Sequence, residues 1–262
     1  MASKKGKTIC IFSAKGGVGK TILTTNLAGI CEKLKRKTLI IDLDLTGGGL
    51  SVALNRFNQR TIYHLVDDLS NNRRKDYLEY VTKYDDYIDI LASPRDPRQG
   101  NKIDAFFIDN IIEQASYLYD VVLIDMSHVL NDINLVTLDK VDKILFLMTN
   151  DPLELKNMKS IMSIFRDLNI DKYKVILNNS RDTNKNYFSL FDIKNIIKAN
   201  IDYTISPKFH IKKIDSYIMN GQIVTLHPRC ESIFAKDYLT MSTMMIDILG
   251  EGLVARKWII NP

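Results

Sequence analysis

The chain has 262 residues, of which 45% are hydrophobic and 26% charged, a composition that excludes disordered and fibrous proteins. The 36 Lys and Arg side chains exceed the 31 Asp and Glu side chains by 5, which permits an anionic partner without selecting one. Cys10, Cys31 and Cys230 form no C-x-x-C pair, which favours buried thiols over a disulfide framework or a zinc cluster. No apolar run approaches the roughly 18 residues of a membrane span, and we expect a cytoplasmic protein.

Short apolar, β-branched runs alternate along the chain with segments of helical periodicity. In chain order, strands are predicted at residues 8–12, 38–43, 88–91, 121–124, 144–148, 174–177 and 201–205, and helices at residues 21–34, 103–118, 153–168, 190–198 and 231–249. Strands that alternate with helices indicate βαβ crossovers. We therefore predict an α/β fold, with a mostly parallel twisted sheet of about seven or eight strands and helices on both faces.

Two segments interrupt this alternation, and neither has the composition of a linker between domains. Residues 56–84 are rich in charge and tyrosine, and we expect helical excursions on the surface there. Residues 93–102 contain two prolines and a glycine, which favour a long loop. We therefore expect a single domain over residues 1–262, in which residues 251–262 form a tail.

A glycine-rich loop between the first predicted strand and the first predicted helix is the strongest functional signal. Its sequence is K-G-G-V-G-K-T, from Lys15 to Thr21. Glycines let successive backbone N–H groups point at one phosphate, and the helix that begins near Lys20 adds its positive dipole end. The Lys20 ammonium can neutralise the β- and γ-phosphates, and the Thr21 hydroxyl can take one position on Mg²⁺. The predicted ATP- or ADP-binding residues of this loop are Gly16, Gly17, Val18, Gly19, Lys20, Thr21 and Ile22.

Aspartates at two predicted strand ends are candidates for holding the metal that a triphosphate requires. The second strand ends at Asp42 and Asp44, which share one face of an extended segment, and the fourth ends at Asp125. In a doubly wound sheet, the carboxyl ends of strands surround the ligand. Asp42, Asp44, Asp125 and Thr21 are therefore the predicted Mg²⁺ ligands. His128 is left out of the catalytic set, because phosphoryl transfer depends on positioned charge and needs no histidine base.

The glycine-rich loop has Ala14 where the ordinary phosphate loop has glycine, and it has a second lysine, Lys15, at its front. This form resembles the deviant Walker A motif of the MinD/ParA family of ATPases. The resemblance implies that two ATP-loaded monomers dimerise face to face, with Lys15 crossing to the partner's nucleotide. It also implies that Asp44 takes part in hydrolysis and that Asp125 reaches the metal through water. Lys15, Asp44 and Lys20 form the predicted catalytic set.

The base-binding residues are expected in the C-terminal part of the chain. The sixth predicted strand ends at Asn178, where the family has a hydrophobic strand closing in Asn. An amide can both donate to and accept from the edge of an adenine. The segment around Pro207 resembles the part of the family whose backbone lines the adenine pocket. Asn178 and Pro207 are therefore the expected adenine contacts.

Looser segments resemble the CpaE/TadZ group of the same family, which helps to place tight-adherence and Flp-type pilus machinery at the inner face of the membrane, commonly at a pole. These segments are residues 42–55, 91–97, 119–125 and 128–130. Members of that group usually carry an N-terminal receiver-like domain. Because the first predicted strand begins at Thr8, we expect that domain to be missing here or to have been removed.

The resemblance implies that the protein is a slow, Mg²⁺-dependent ATPase. It also implies that the protein forms an ATP-dependent homodimer, which positions pilus or secretion machinery. Two alternatives stay open: a chromosome-partitioning, plasmid-partitioning or division-site ATPase of the same family, and a scaffold that binds nucleotide without turnover. An unidentified assembly or polar-localisation protein is the expected partner. The basic residues 33–37 leave DNA binding open, and the tail at 253–262 leaves peripheral contact with the membrane open.

Overall fold

The structure is a computed structural model that describes residues 5–57, 59–73, 75–180, 187–209 and 214–251. Its strands are β1 (Lys7–Phe12), β2 (Thr38–Leu43), β3 (Thr82–Lys83), β4 (Ile88–Leu91), β5 (Val121–Met126), β6 (Lys143–Met148), β7 (Tyr173–Asn178) and β8 (Tyr203–Ile205). Its α-helices are α1 (Lys20–Lys33), α2 (Leu50–Ala53), α3 (Ile62–Ser70), α4 (Pro97–Gly100), α5 (Phe106–Leu118), α6 (Asp132–Lys140), α7 (Pro152–Asp167), α8 (Leu190–Ile197), α9 (Ile214–Met219), α10 (Cys230–Ile233) and α11 (Ala235–Leu249). Short 3₁₀ helices cover Tyr77–Tyr80, Pro207–Phe209 and Val224–Leu226.

The described strands form one sheet in the order β3-β4-β2-β5-β1-β6-β7-β8. Only the edge pair β3–β4 is antiparallel, and every other neighbouring pair is parallel. The register pairs Asp125 of β5 with Ile11 of β1 and with Asp42 of β2. The carboxyl ends of β1, β2 and β5 therefore meet at one edge of the sheet, as the doubly wound prediction requires. The predicted fold class is confirmed.

Helices cover both faces of the sheet. On one face, Cys10 and Phe12 of β1 pack with buried side chains of α3, α5 and α7. On the other face, Ile9 and Ile11 of β1 pack with buried side chains of α1 and α11. Because both faces are buried, the central strands are largely apolar up to their carboxyl ends, where Asp42 and Asp125 lie, and show no polar alternation. Cys10, Cys31 and Cys230 are free and buried, as predicted.

Three segments differ from the sequence prediction. The excursion at residues 56–84 contributes to the core, because Ile62, Leu65 and Val66 of α3 are spaced to bury one helical face. The predicted loop at residues 93–102 contains α4, which Asp96 caps by accepting a hydrogen bond from the Arg98 backbone N–H and which Pro97 opens. The predicted last helix is divided into α10 and α11 at Phe234.

Among the described helices, none is both long enough and apolar enough to cross a membrane. All of the predicted tail except Glu251 lies outside the described residues.

Replacement of Glu32 is expected to change how stability depends on pH. Burial on α1, and then the nearby carboxylate of Asp85, raise the pKa of Glu32 to about 7. The folded protein therefore keeps a proton that the unfolded chain releases, and this stabilisation is lost as the pH rises towards 7. We expect Glu32→Gln to raise the melting temperature by about 2 °C at pH 8 and to change it less at pH 5. An equal shift at both pH values in thermal unfolding would contradict the raised pKa.

Candidate functional site

The predicted phosphate loop joins the end of β1 to the start of α1. Gly17 and Gly19 have φ angles of +78° and +103°, in the region that side-chain-bearing residues rarely adopt. Gly19 precedes the first residue of α1, Lys20, and its carbonyl accepts the Leu23 N–H at 2.9 Å. The loop thus turns tightly into a helix N-terminus, where unpaired backbone N–H groups and the helix dipole favour an anion.

A cavity of about 650 Å³ lies over this loop. Its other sides are the glycine-rich turn 47–49 and α2, the end of β5 with Met126 and His128, and Ile218 of α9. Ligand pockets typically measure about 300–1,000 Å³, so the cavity is large enough for a nucleotide. The predicted residues that line it are Gly16, Gly17, Gly19, Lys20, Thr21, Ile22 and Asp44.

The Lys20 ammonium is held inside the loop among negative charges. The residue is 9% exposed, and its Nζ donates to the Ser13 hydroxyl at 3.1 Å. Burial lowers the pKa of Lys20, and the carboxylates of Asp125, Asp44 and Glu154 oppose that shift. A buried cation at a cavity wall is suited to neutralise phosphate oxygens.

The Thr21 hydroxyl and the Asp125 carboxylate meet beside Lys20. Thr21 Oγ1 donates to Asp125 Oδ2 at 2.6 Å, whereas Asp125 Oδ1 is buried and has no hydrogen-bond partner. Burial raises the pKa of Asp125 to about 6, against the hydrogen bond from Thr21 and the charge of Lys20. A buried carboxylate oxygen without a partner, next to a hydroxyl, fits an ion such as Mg²⁺ that prefers oxygen ligands.

These two residues supply only part of a metal coordination sphere. Within the described ranges, no group of three or more His, Cys, Asp and Glu side chains is arranged to hold a metal ion. Mg²⁺ commonly keeps several waters and binds through one or two carboxylates together with substrate phosphates. The site therefore fits a metal that enters with a nucleotide.

Asp42 has a different environment from the other predicted metal ligands. It is completely buried, its Oδ1 accepts the Asp44 N–H at 3.1 Å, and its Oδ2 accepts from Leu50 N at 3.2 Å and Ser93 Oγ at 3.0 Å. Burial and the neighbouring Asp125 raise the pKa of Asp42 to about 8. Since both oxygens have protein partners and Asp42 does not line the cavity, it supports the turn after β2, and its metal role stays a prediction.

Asp44 lies at the start of that turn and lines the cavity. Its Oδ1 accepts the Gly47 N–H at 3.1 Å, which ties the carboxylate to the turn. A Cβ on Gly48 would lie 1.8 Å from Ser93 Oγ. Only glycine therefore lets the turn lie so close to the loop that follows β4. Sequence reasoning had not identified Ser93, which follows a strand end of the same edge and could have been found from that position.

Lys15 lies beside the cavity and does not line it. Its Nζ forms an ion pair with Asp151 Oδ2 at 2.8 Å, and the two side chains are 42% and 30% exposed. Asp151 also caps α7, because its Oδ1 accepts the Glu154 N–H at 3.0 Å. Sequence reasoning had missed Asp151, although an Asp-Pro pair that begins three residues after the end of a predicted strand signals a helix start at the ligand edge.

The expected base contacts lie on the other side of the phosphate loop. Asn178 Nδ2 donates to the Val18 carbonyl at 2.9 Å, and its Oδ1 accepts from Ser180 Oγ at 2.6 Å. Pro207 begins a 3₁₀ helix just after β8, and β8 pairs with β7 so that Ile205 lies opposite Asn178. The structure thus brings Asn178 and Pro207 to neighbouring strand ends, and their contact with adenine stays a prediction.

The chain matches the AAA_31 family, an AAA domain, over residues 6–180, which is more than half of its length. The septum site-determining protein MinD of Synechocystis sp. is 29% identical over 119 residues, a match that covers 45% of this chain and 44% of that protein. The matched region thus spans less than half of that relative.

Two solved structures resemble the chain over nearly all of its length. The crystal structure of a ParA family ATPase from Chlorobium tepidum TLS has a TM-score of 0.77 at 17% identity, and the match covers 92% of this chain and 98% of that one. MinD from Pyrococcus horikoshii OT3, solved with Mg-ADP, has a TM-score of 0.77 at 20% identity and coverages of 94% and 98%. At this level of identity the likeness shows the fold.

Proposed function

The chain belongs to the AAA_31 family. On that premise, and because its phosphate loop resembles that of the MinD/ParA-type ATPases, we propose that it is an ATP-driven dimerisation switch. The observation that carries the proposal is the position of Lys15, the second lysine of the phosphate loop. Its ammonium forms an ion pair with Asp151, and the residue lies beside the cavity and does not line it. A lysine in this position is better placed to bind the nucleotide of a second copy of the chain than the nucleotide in the cavity of its own chain.

The ion pair between Lys15 and Asp151 can be exchanged at little cost. Both side chains are substantially exposed, and exposed pairs contribute about 0–1 kcal/mol to stability. A phosphate carried by a second copy of the chain offers Lys15 a charge-assisted contact of greater strength. We propose that this phosphate is the terminal phosphate of ATP, so that the dimer would form with ATP and not with ADP, as a switch requires.

The nucleotide site can hold Mg·ATP with residues that are already in place. Thr21 and Asp125 would hold the ion, which supplies charge neutralisation on the phosphates when it is bound. Lys20 neutralises the β- and γ-phosphates, and the N–H groups at the start of α1 bind phosphate oxygens. Asp44, at the cavity wall, would orient the attacking water.

Sizing the protein with and without nucleotide tests the switch. We expect the parent to be monomeric alone or with ADP and dimeric with Mg·ATP, as measured by size-exclusion chromatography with light scattering. Lys15→Ala should stay monomeric with ATP, because the crossing cation is lost, whereas Asp44→Ala should still form the ATP dimer. Lys33→Ala, an exposed lysine at the far end of α1, is the matched control and should behave as the parent does. A Lys15→Ala protein that dimerises normally, or an Asp44→Ala protein that does not, would refute the model.

The cellular role that we propose is the positioning of pilus or secretion machinery, at the inner face of the membrane or a pole. The CpaE/TadZ-like segments 42–55 and 91–97 support this role, and the first of them lines the nucleotide cavity with Asp44, the turn 47–49 and α2. The similarity to MinD of Synechocystis sp. supports a second candidate, placement of the division site. A scaffold without turnover is the third, and phosphate release separates it from the other two.

Contacts in the basic segment at residues 33–37 favour a structural role over DNA binding. The Lys35 and Lys37 ammonium groups each lie 5.0 Å from the centre of a tyrosine ring, and Arg36 Nε donates to Glu251 Oε1 at 2.6 Å. These contacts fasten the end of α1 to neighbouring elements. A membrane contact through the tail concerns residues outside the described ranges and stays a proposal.

A further inference from the structure

The imidazole of His128 lies directly over the phosphate loop. A Cβ placed on Gly16 would be 3.5 Å from His128 Nδ1 and 3.6 Å from Cε1, so the ring is in contact distance of the loop's first glycine. His128 also lines the nucleotide cavity together with Lys20 and Thr21. The ring therefore forms part of the same wall as the groups that bind phosphate.

The residues on both sides of His128 are held by a single buried side chain. Asn134, on α6, is completely buried, and its Nδ2 donates to Ser127 Oγ at 2.8 Å and to the Val129 carbonyl at 2.6 Å. The Asn134 N–H in turn donates to Asn131 Oδ1, the cap of α6, at 2.9 Å. Because both neighbours of His128 are fixed to the helix, the fold itself presents the imidazole to the cavity.

The strand order shows which end of a nucleotide His128 would meet. The phosphate loop follows β1, which lies between β5 and β6 in the sheet. The expected base contacts follow β7 and β8 on one side, whereas Asp44 and Asp125 follow β2 and β5 on the other. With adenine at the expected contacts Asn178 and Pro207, a bound triphosphate would run from the β7–β8 side to the β2–β5 side. His128, which follows β5, lies at the end where the terminal phosphate is placed.

We propose that His128 is a specificity-determining residue that binds the terminal phosphate of ATP and thereby distinguishes ATP from ADP. The proposal rests on the proposed function, because it concerns the same nucleotide site. An imidazole N–H donates to phosphate oxygens. His128 is exposed at the cavity wall, and because the residues on both sides of it are held, binding orders the side chain and not the loop. ADP lacks the third phosphate, so the contact contributes to ATP affinity alone. The ATP state of the switch is thus recognised through His128 as well as through Lys20.

Nucleotide affinities of four proteins test this assignment. We expect His128→Ala to lower the affinity for Mg²⁺ with a non-hydrolysable ATP analogue about tenfold and to leave ADP affinity within about twofold of the parent. His128→Gln, which keeps a side-chain N–H donor, should fall between the parent and His128→Ala. Val129→Ala is the matched control, since it removes the next exposed side chain of the same loop, and it should bind both nucleotides as the parent does. Isothermal titration calorimetry measures all of these affinities.

The outcomes separate this inference from the proposed function. If His128→Ala loses affinity equally for ATP and ADP, or loses affinity for neither, the ring does not bind the third phosphate. A parent protein that binds neither nucleotide would refute the proposed function. If the parent binds ATP and Lys20→Ala does not, the nucleotide site itself is supported. An unchanged preference for ATP over ADP in His128→Ala would then refute the role of His128 and leave the proposed function standing.

Discussion

Lys20→Ala is expected to lower the affinity for both ATP and ADP by about a hundredfold or more. The substitution removes a cation that is 9% exposed at the cavity wall. The carboxylates of Asp125, Asp44 and Glu154 act on Lys20 in the parent protein. Without the Lys20 ammonium, their negative charges would repel an incoming phosphate. The loss of attraction and the added repulsion act in the same direction, so this is the largest single effect that we expect on binding.

The control for this prediction lies on the same helix. Lys33→Ala removes an equal charge from the exposed far end of α1, and its nucleotide affinity should match that of the parent. Titration calorimetry with each nucleotide measures the affinities, and thermal unfolding shows whether Lys20→Ala is folded. A folded Lys20→Ala protein that keeps its affinity would show that the loop is not the phosphate site.

The sheet could be predicted from the sequence because its central strands are buried on both faces. Runs such as residues 121–124 carry apolar side chains up to the ligand edge, where Asp125 follows, and the parallel order follows from the helices between them. The edge strand Thr82–Lys83 was not predicted, since two residues are too few to show a pattern. The helix at Ile62–Ser70 was placed on the surface because nearby charges obscured its buried face.

The site was predictable where its residues are contiguous in sequence and unpredictable where distant segments meet. The phosphate loop and the two strand ends carry their own local patterns. By contrast, Lys15 and Asp151 are 136 positions apart, and Asn178 and Val18 are 160 positions apart. Their pairing depends on strand order, which no local pattern contains. His128 was left out of the catalytic set because phosphoryl transfer needs no histidine base, and only the fold shows that its ring lies over Gly16.

Asp44→Asn is expected to slow ATP hydrolysis by about a hundredfold while ATP affinity changes little. The substitution keeps the size of the side chain and its place on the Gly47 N–H, but it removes the negative charge at the cavity wall. A neutral amide orients and polarises an attacking water less well than a carboxylate does. Measurement of phosphate release under single-turnover conditions isolates the chemical step from dimer dissociation.

Asp171→Asn is the matched control, because Asp171 is exposed and lies just before β7, at the opposite edge of the sheet from the nucleotide cavity. Its turnover should equal that of the parent. Asp42 cannot replace Asp44, since its two oxygens are already occupied by Asp44 N, Leu50 N and Ser93 Oγ. The loss in Asp44→Asn should therefore not be compensated from within the turn. Parent turnover that survives this substitution would mean that another group positions the water, and a parent without turnover would favour the nucleotide-binding scaffold over the switch.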